Sequence, residues 1–202
     1  MPRISAERMQ DREDSLLAAA REVFACKGYE AAAVSDVARV AGVSDGLVYR
    51  YFGSKRDLLL AVLDSFYSRI IDDLERAVSL SASFEQRVAT LVHKHVERFV
   101  DDMALCRLFI VEVRNFDEYV GSETHELNRR YTSILMRILA DGRAEGRVAG
   151  DIDDRLVRDM MFGGIEHVAW RHILAGHPID VERVAGQITR LLLGGISTSR
   201  AS

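Results

Sequence analysis

The chain has 202 residues, 48% hydrophobic and 29% charged, a size and balance that fit one large globular domain or a small one joined to a medium one. Only two prolines occur, and Ala, Leu, Arg and Glu are abundant, so helix is favoured throughout. A net charge of -4 excludes nucleic-acid binding driven by bulk basicity.

Charge in the first 57 residues is balanced as well. Arg3, Arg8, Arg12, Arg21, Lys27, Arg39, Arg50, Lys55 and Arg56 face Glu7, Asp11, Glu13, Asp14, Glu22, Glu30, Asp36, Asp45 and Asp57. Any DNA-binding reading therefore rests on placement. Cys26 and Cys106 have no CxxC spacing and read as reduced, partly buried thiols. No apolar run approaches the ~18 residues of a membrane span, and Met-Pro-Arg-Ile-Ser-Ala-Glu lacks the apolar core of a signal peptide. The expectation is a cytoplasmic protein with no membrane partner.

In chain order, Leu16, Leu17, Ala20, Val23 and Phe24 repeat at steps of three and four, predicting a helix from about 11 to 27. Acidic residues open it and Lys27-Gly28 closes it. The loose basic arm before it (Arg3, Arg8, Arg12) reads as a disordered tail, or as a segment for the minor groove. Val34, Val37, Ala38 and Ala41 make a short second helix ended by Gly42. Ser44 is placed to cap a third, through Leu47, Val48, Tyr51 and Phe52. Ser54-Lys-Arg-Asp57 is a capping box with Asp for Glu, opening a long fourth helix. After a break at 79–83, helical patterns cover about 84–101, 103–117, 122–146, 152–175 and 181–194. No two-residue alternation is sustained. The fold class is all-α, with about nine helices.

Residues 34–52 have the layout of a helix-turn-helix: short helix, turn with glycine, short helix. Gly42 can take positive φ in that turn. Val37, Ala38, Val43, Val48 and Phe52 supply a small core that sets the two helices at a steep angle, so that the second can enter a major groove. The longer run Ala20…Phe24…Gly28-Tyr29, Val34-x-x-Val37-Ala38, Ala41-Gly42-Val43-Ser44-x-Gly46 and Tyr49-x-Tyr51-Phe52-x-Ser54-Lys55-x-x-Leu58 resembles the N-terminal signature of the TetR (tetracycline-repressor-like) transcription factors. The resemblance covers about residues 12–63.

It implies a DNA-binding domain at 1–57 and an effector-binding and dimerisation domain at 58–202. Ser44 would cap the recognition helix and touch phosphate. Asp45, Gly46, Leu47 and Arg50 would face base edges, and Tyr49 and Tyr51 would approach phosphates. Lys55 would bind phosphate beside the free N–H groups of the fourth helix, and Arg39 would add a backbone contact. Two positions depart from the family pattern. Ala33 stands where Thr or Ser normally caps the motif's first helix, with Ser35 as a possible substitute two positions along. Asp45 stands where a basic or neutral residue is usual. Its carboxylate can accept from cytosine N4, bond Arg50, or cap backbone.

Beyond residue 58, Leu156, Met160, Gly163, Gly164, His167 and Arg171 fall along one side of a helix, and Val184, Ile188, Leu191 and Leu192 along the next. Paired across two subunits they would form a four-helix homodimer interface. That dimer would present two recognition helices to a palindromic operator on double-stranded DNA. Candidate lining for a small, largely apolar effector is His93, Phe99, Phe109, Tyr131, Phe162, Glu166 and Trp170. For any one of these, plain core is the stronger of the two readings. The segment "GRAEGRVAGDIDDRLVRDMMFGGIEHVAWRHIL" resembles the last part of TetR members that respond to fatty acyl-CoA. Effector binding would then act through the fourth helix on the spacing of the recognition helices.

Catalytic and metal patterns are missing. His93 and His95 are two apart and diverge on a helix, and there is no HExxH, GxSxG or P-loop. The reading is a ligand-controlled repressor that is not an enzyme and needs no cofactor or metal. An activator on the same fold is the nearest alternative. A helical carrier or interaction module that no longer reads DNA is the other, kept open by the neutral charge, Ala33 and Asp45.

Overall fold

The computed structural model describes residues 6–115 and 119–197. Among them are α1 (Ala6–Ala31), α2 (Val34–Ala41), α3 (Asp45–Tyr51), α4 (Lys55–Ser79), α5 (Phe84–Asp101), α6 (Met103–Val111), α7 (Glu123–Ala144), α8 (Asp154–Ala175) and α9 (Val181–Ile196). A 3-10 turn covers Val113–Asn115, and an isolated bridge pairs Val148 with Ser197. The all-α class and the helix count expected from the sequence are both borne out. None of these helices is long and apolar enough to cross a membrane.

The described chain forms two compact units. One holds the residues up to Ser68 together with Ala104–His125. The other holds Arg69–Met103 and the residues from Glu126 onward.

In the first unit α1 starts at Ala6, earlier than the apolar stripe indicates. Glu7 in its first turn suits the helix dipole, and no breaker lies between Ala6 and Gly28. Arg8 and Arg12 are therefore helical and not part of a loose arm; Arg3 lies outside the described residues. Gly28 breaks the helix with φ 75°, after which one more turn runs to Ala31. Cys26 is exposed rather than partly buried. α2 ends as its glycine predicts: Gly42 takes φ 66°, and the Val43 N–H returns to the Ala38 carbonyl at 2.9 Å. Leu16, Ala20 and Phe24 of α1 are buried together with Val37, Ala38, Val48, Phe52, Leu58 and Leu59, which supply the small core of the helix pair. The capping box at α4 is half made. Ser54 Oγ accepts from the Asp57 N–H at 3.1 Å, but the Asp57 carboxylate takes the Ser54 hydroxyl at 2.8 Å. Asp is one methylene shorter than Glu, and here it reaches only that far.

In the second unit α5 packs against α8 and α9. Val88, Leu91, Val92, Val96 and Phe99 make its buried stripe. Ser83, Asp153 and Asp180 cap α5, α8 and α9 by accepting from Gln86, Arg155 and Arg183 N–H groups. Gly142 on α7 is needed for fit, because an added Cβ would collide with the buried Phe84 ring. The turn after α7 is held by Arg143, which donates to the Ala149 and Ile152 carbonyls at 2.6 and 3.1 Å and pairs with Asp154.

Candidate functional site

The second helix of the motif, α3, is short and sharply divided. Val48 is 1% exposed, and Phe52 just beyond the helix is buried too. Asp45, Gly46, Tyr49 and Arg50 are exposed, and Leu47 and Tyr51 are half-buried. At about 100° per residue the four exposed positions share one arc of roughly 140°, facing away from the core. Tyr49, 52% exposed, stands near the middle of it. Neither Asp45 nor Arg50 has a hydrogen-bond or ion-pair partner among the described residues, so the two expected uses of Asp45 inside the chain, bonding Arg50 or capping backbone, are not made. Ser44 occupies the N-cap position with extended backbone (φ -81°, ψ 152°), but its side chain makes no capping bond. Its carbonyl carries the start of the helix, accepting from Leu47 at 3.0 Å.

Two residues organise this head in ways the motif alone does not reveal. Asp36 completes the capping that Ala33 cannot: its Oδ2 accepts the Ala33 N–H at 3.1 Å, the carboxylate half of a capping box. Ser35 is exposed and does not take that role. Asp36 also pairs with Lys27 at 2.7 Å and Arg39 at 2.8 Å. Lys27 first, then Arg39 and the Ala33 N–H, hold its carboxyl well below the usual carboxylate range. Arg39 therefore enters any backbone contact already tethered. Lys55 is the second organiser. Its ammonium donates to the carbonyls of Tyr29 (2.8 Å), Ala32 (3.1 Å) and Glu30 (3.3 Å), and lies 4.4 Å from the Tyr29 ring centroid. Its three donors thus close the end of α1, where the helix leaves carbonyls unsatisfied.

The expected effector residues divide between the units. Phe109 belongs to the first, edge-on to Tyr67 and Tyr119 at 5.4 and 5.9 Å, with the Arg114 guanidinium over its ring. The other six lie in the second. There Phe99, Tyr131 and Phe162 gather around His95, with ring centroids at 5.5, 5.6 and 4.8 Å. The Nδ1 of His95 and the Tyr131 hydroxyl share a hydrogen bond at 3.0 Å. His93 turns away to Glu182 of α9 at 2.9 Å. Glu166 and Trp170 are half-buried on α8.

The expected interface residues are mostly outward. Leu156, Met160 (67% exposed), Gly163, Gly164, His167 and Arg171 form one exposed strip along α8. On α9, Leu191 is 77% exposed and Ile188 and Leu192 are half-buried, while Val184 is buried within its own unit.

Two family models cover almost all of this architecture. The model of bacterial regulatory proteins of the tetR family matches residues 16–62, and that of the YsiA-like protein C-terminal region matches residues 64–195. The chain belongs to the tetR family of bacterial regulatory proteins. It is 29% identical to the fatty acid metabolism regulator protein of Bacillus subtilis, over 90% of this chain and 93% of that protein. It is 30% identical to the HTH-type transcriptional repressor KstR2 of Mycolicibacterium smegmatis, over 94% and 92% of the two chains. Among solved structures it is similar to the transcriptional regulator FadR from Bacillus subtilis in complex with stearoyl-CoA. The TM-score is 0.82 at 28% identity, with 91% of this chain and 98% of that one covered.

As a tetR-family member the chain is a DNA-binding transcriptional regulator and not an enzyme. Within that frame, sequence reasoning missed Asp36, the long-range bonds of Lys55, and His95. The signals for two of them were present. Asp36 is three residues past the uncapped Ala33, and His95 continues the line Leu91–His95–Phe99 at steps of four on the buried side of α5.

Proposed function

We propose that this tetR-family regulator is a cytoplasmic homodimeric repressor that leaves a palindromic operator when a long-chain fatty acyl-CoA binds. In this reading residues 1–57 read DNA, and residues 58–202 bind the effector and dimerise. The observation that carries the DNA part is the exposed, unpartnered arc of Asp45, Gly46, Tyr49 and Arg50 on α3. Ser44, whose hydroxyl is not spent on a cap, joins Tyr49 and Tyr51 as phosphate contacts. Leu47 packs beside the bases, and Arg39 reaches backbone while tied to Asp36. Lys55 lends its charge at the start of α4 and holds the head together.

The effector class is supported by the stearoyl-CoA complex of the Bacillus subtilis regulator and by the name of the Bacillus subtilis relative. His93, Phe99, Phe109, Tyr131, Phe162, Glu166 and Trp170 remain the effector candidates, and His95 joins them through its bond to Tyr131. Dimerisation is supported by the outward apolar and glycine strip of α8 with Leu191 of α9.

The test is fluorescence anisotropy on DNA from upstream of the protein's own reading frame. Salt-sensitive, sequence-preferring binding is expected, reversed by stearoyl-CoA but not by coenzyme A alone. Binding that survives saturating stearoyl-CoA removes the effector assignment. Absence of sequence-preferring binding removes the operator assignment.

A further inference from the structure

We propose that Gly46 and Asp45 act together as a base-reading notch: Gly46 lets α3 settle on the groove floor, and Asp45 then demands cytosine at one symmetric position of the operator. The inference rests on the operator-binding reading above and specifies which base that surface selects.

Gly46 has no use inside the protein. It lies within α3 with no positive φ, so its backbone does not require glycine. A Cβ built there meets nothing within 4 Å, so packing does not require glycine either. Gly46 is the second residue of α3, where glycine loses more chain entropy on ordering than alanine would and gains no contact in return. What the missing side chain does provide is external clearance within the exposed arc, between Tyr49 and Arg50 and next in sequence to Asp45. A backbone stripped of its side chain is what close approach to a base edge needs.

Asp45 has no internal role to compete with reading. Its carboxylate makes no capping bond and pairs with no cation among the described residues. Beside DNA such a charge is repelled by phosphate everywhere, and relieved only where an amino group projects into the groove. Cytosine offers N4–H2 in the major groove with no acceptor of its own beside it, whereas adenine sets its N7 acceptor beside N6–H2. A lone carboxylate therefore favours cytosine. Asp is also a short side chain and reaches a base only if the helix lies close, which is the clearance that Gly46 supplies. Asp45 thus acts mainly by rejection: it weakens binding to all sequences and restores it at one.

The experiment is selection of bound sequences from random duplexes by the full-length protein and its Asp45→Ala, Asp45→Asn and Gly46→Ala variants, with affinities and melting temperatures measured for each. The wild type is expected to select cytosine at one symmetric pair of positions. Asp45→Ala should keep the remaining consensus, lose about tenfold or more of the discrimination at that pair, and bind random DNA more tightly. Asp45→Asn should move the preference toward adenine, which presents the donor and acceptor that an amide matches. Gly46→Ala should melt no lower than the wild type while losing operator affinity, a combination that a purely structural glycine would not give. The proposal is overturned if Asp45→Ala selects the wild-type consensus at every position, or if Gly46→Ala binds the operator as tightly as the wild type. A wild type that selects no consensus overturns the operator reading as well, so the two failures are distinguishable.

Discussion

At the scale of single residues, Lys55 and Asp36 decide whether the reading head keeps its shape. Lys55 donates to three carbonyls at the end of α1, and truncation removes all three bonds. Lys55→Met keeps the aliphatic stem and removes the donors. It is expected to cost about 1–3 kcal/mol in urea unfolding, and to weaken DNA binding at every sequence alike. Asp36 gives a pH-dependent counterpart. Its folded-state carboxyl is held below the ordinary carboxylate range by Lys27 and then Arg39. A depressed folded-state value means that the stabilisation is fully present above the unfolded value, near pH 4, and fades as pH falls below it. The melting temperature of Asp36→Asn should therefore lie below the wild type at neutral pH, and the gap should narrow as a titration descends through and below about pH 4.

At the scale of elements, helix periodicity and glycine stops made most of the fold legible, from the α1 stripe to the left-handed Gly42. Those signals are local, carried within one or two turns of chain. What stayed hidden depends on distant partners. Nothing near Lys55 in sequence announces that its acceptors lie more than twenty residues earlier. Periodicity gave the angle between His93 and His95 but not which of them faces the aromatic cluster; the Leu91–Phe99 line settles that only once it is known to be buried. α6 ends at Val111, short of the expected 117: Val113–Asn115 form a 3-10 turn, and 116–117 lie outside the described residues. Helix contacts also predict where small residues are obligatory. Gly142→Ala gains helix propensity of about 1 kcal/mol but forces the buried Phe84 ring to move. A net loss of stability is expected, overpacking of this kind costing about 1–3 kcal/mol, read by thermal unfolding.

For the whole molecule, function requires two reading heads held at one spacing. The α8 strip carrying Met160, with Leu191 of α9, is the surface proposed to hold them. Met160→Glu combined with Leu191→Arg should give a monomer by sedimentation velocity with unchanged helical circular dichroism, and operator binding should fall with it. Sedimentation as a dimer would place the interface elsewhere. The Lys55 clamp sets a further rule for anyone building chimaeric regulators. A DNA-reading cassette cut at Gly53, where the second motif helix has just ended, would leave behind the ammonium that seals its first helix. Unless the recipient supplies a lysine in register, such a graft loses three hydrogen bonds that close its first helix. A junction placed deeper, past Leu63, carries the seal and the buried Leu58 and Leu59 with it, and is the cut that should transplant specificity intact.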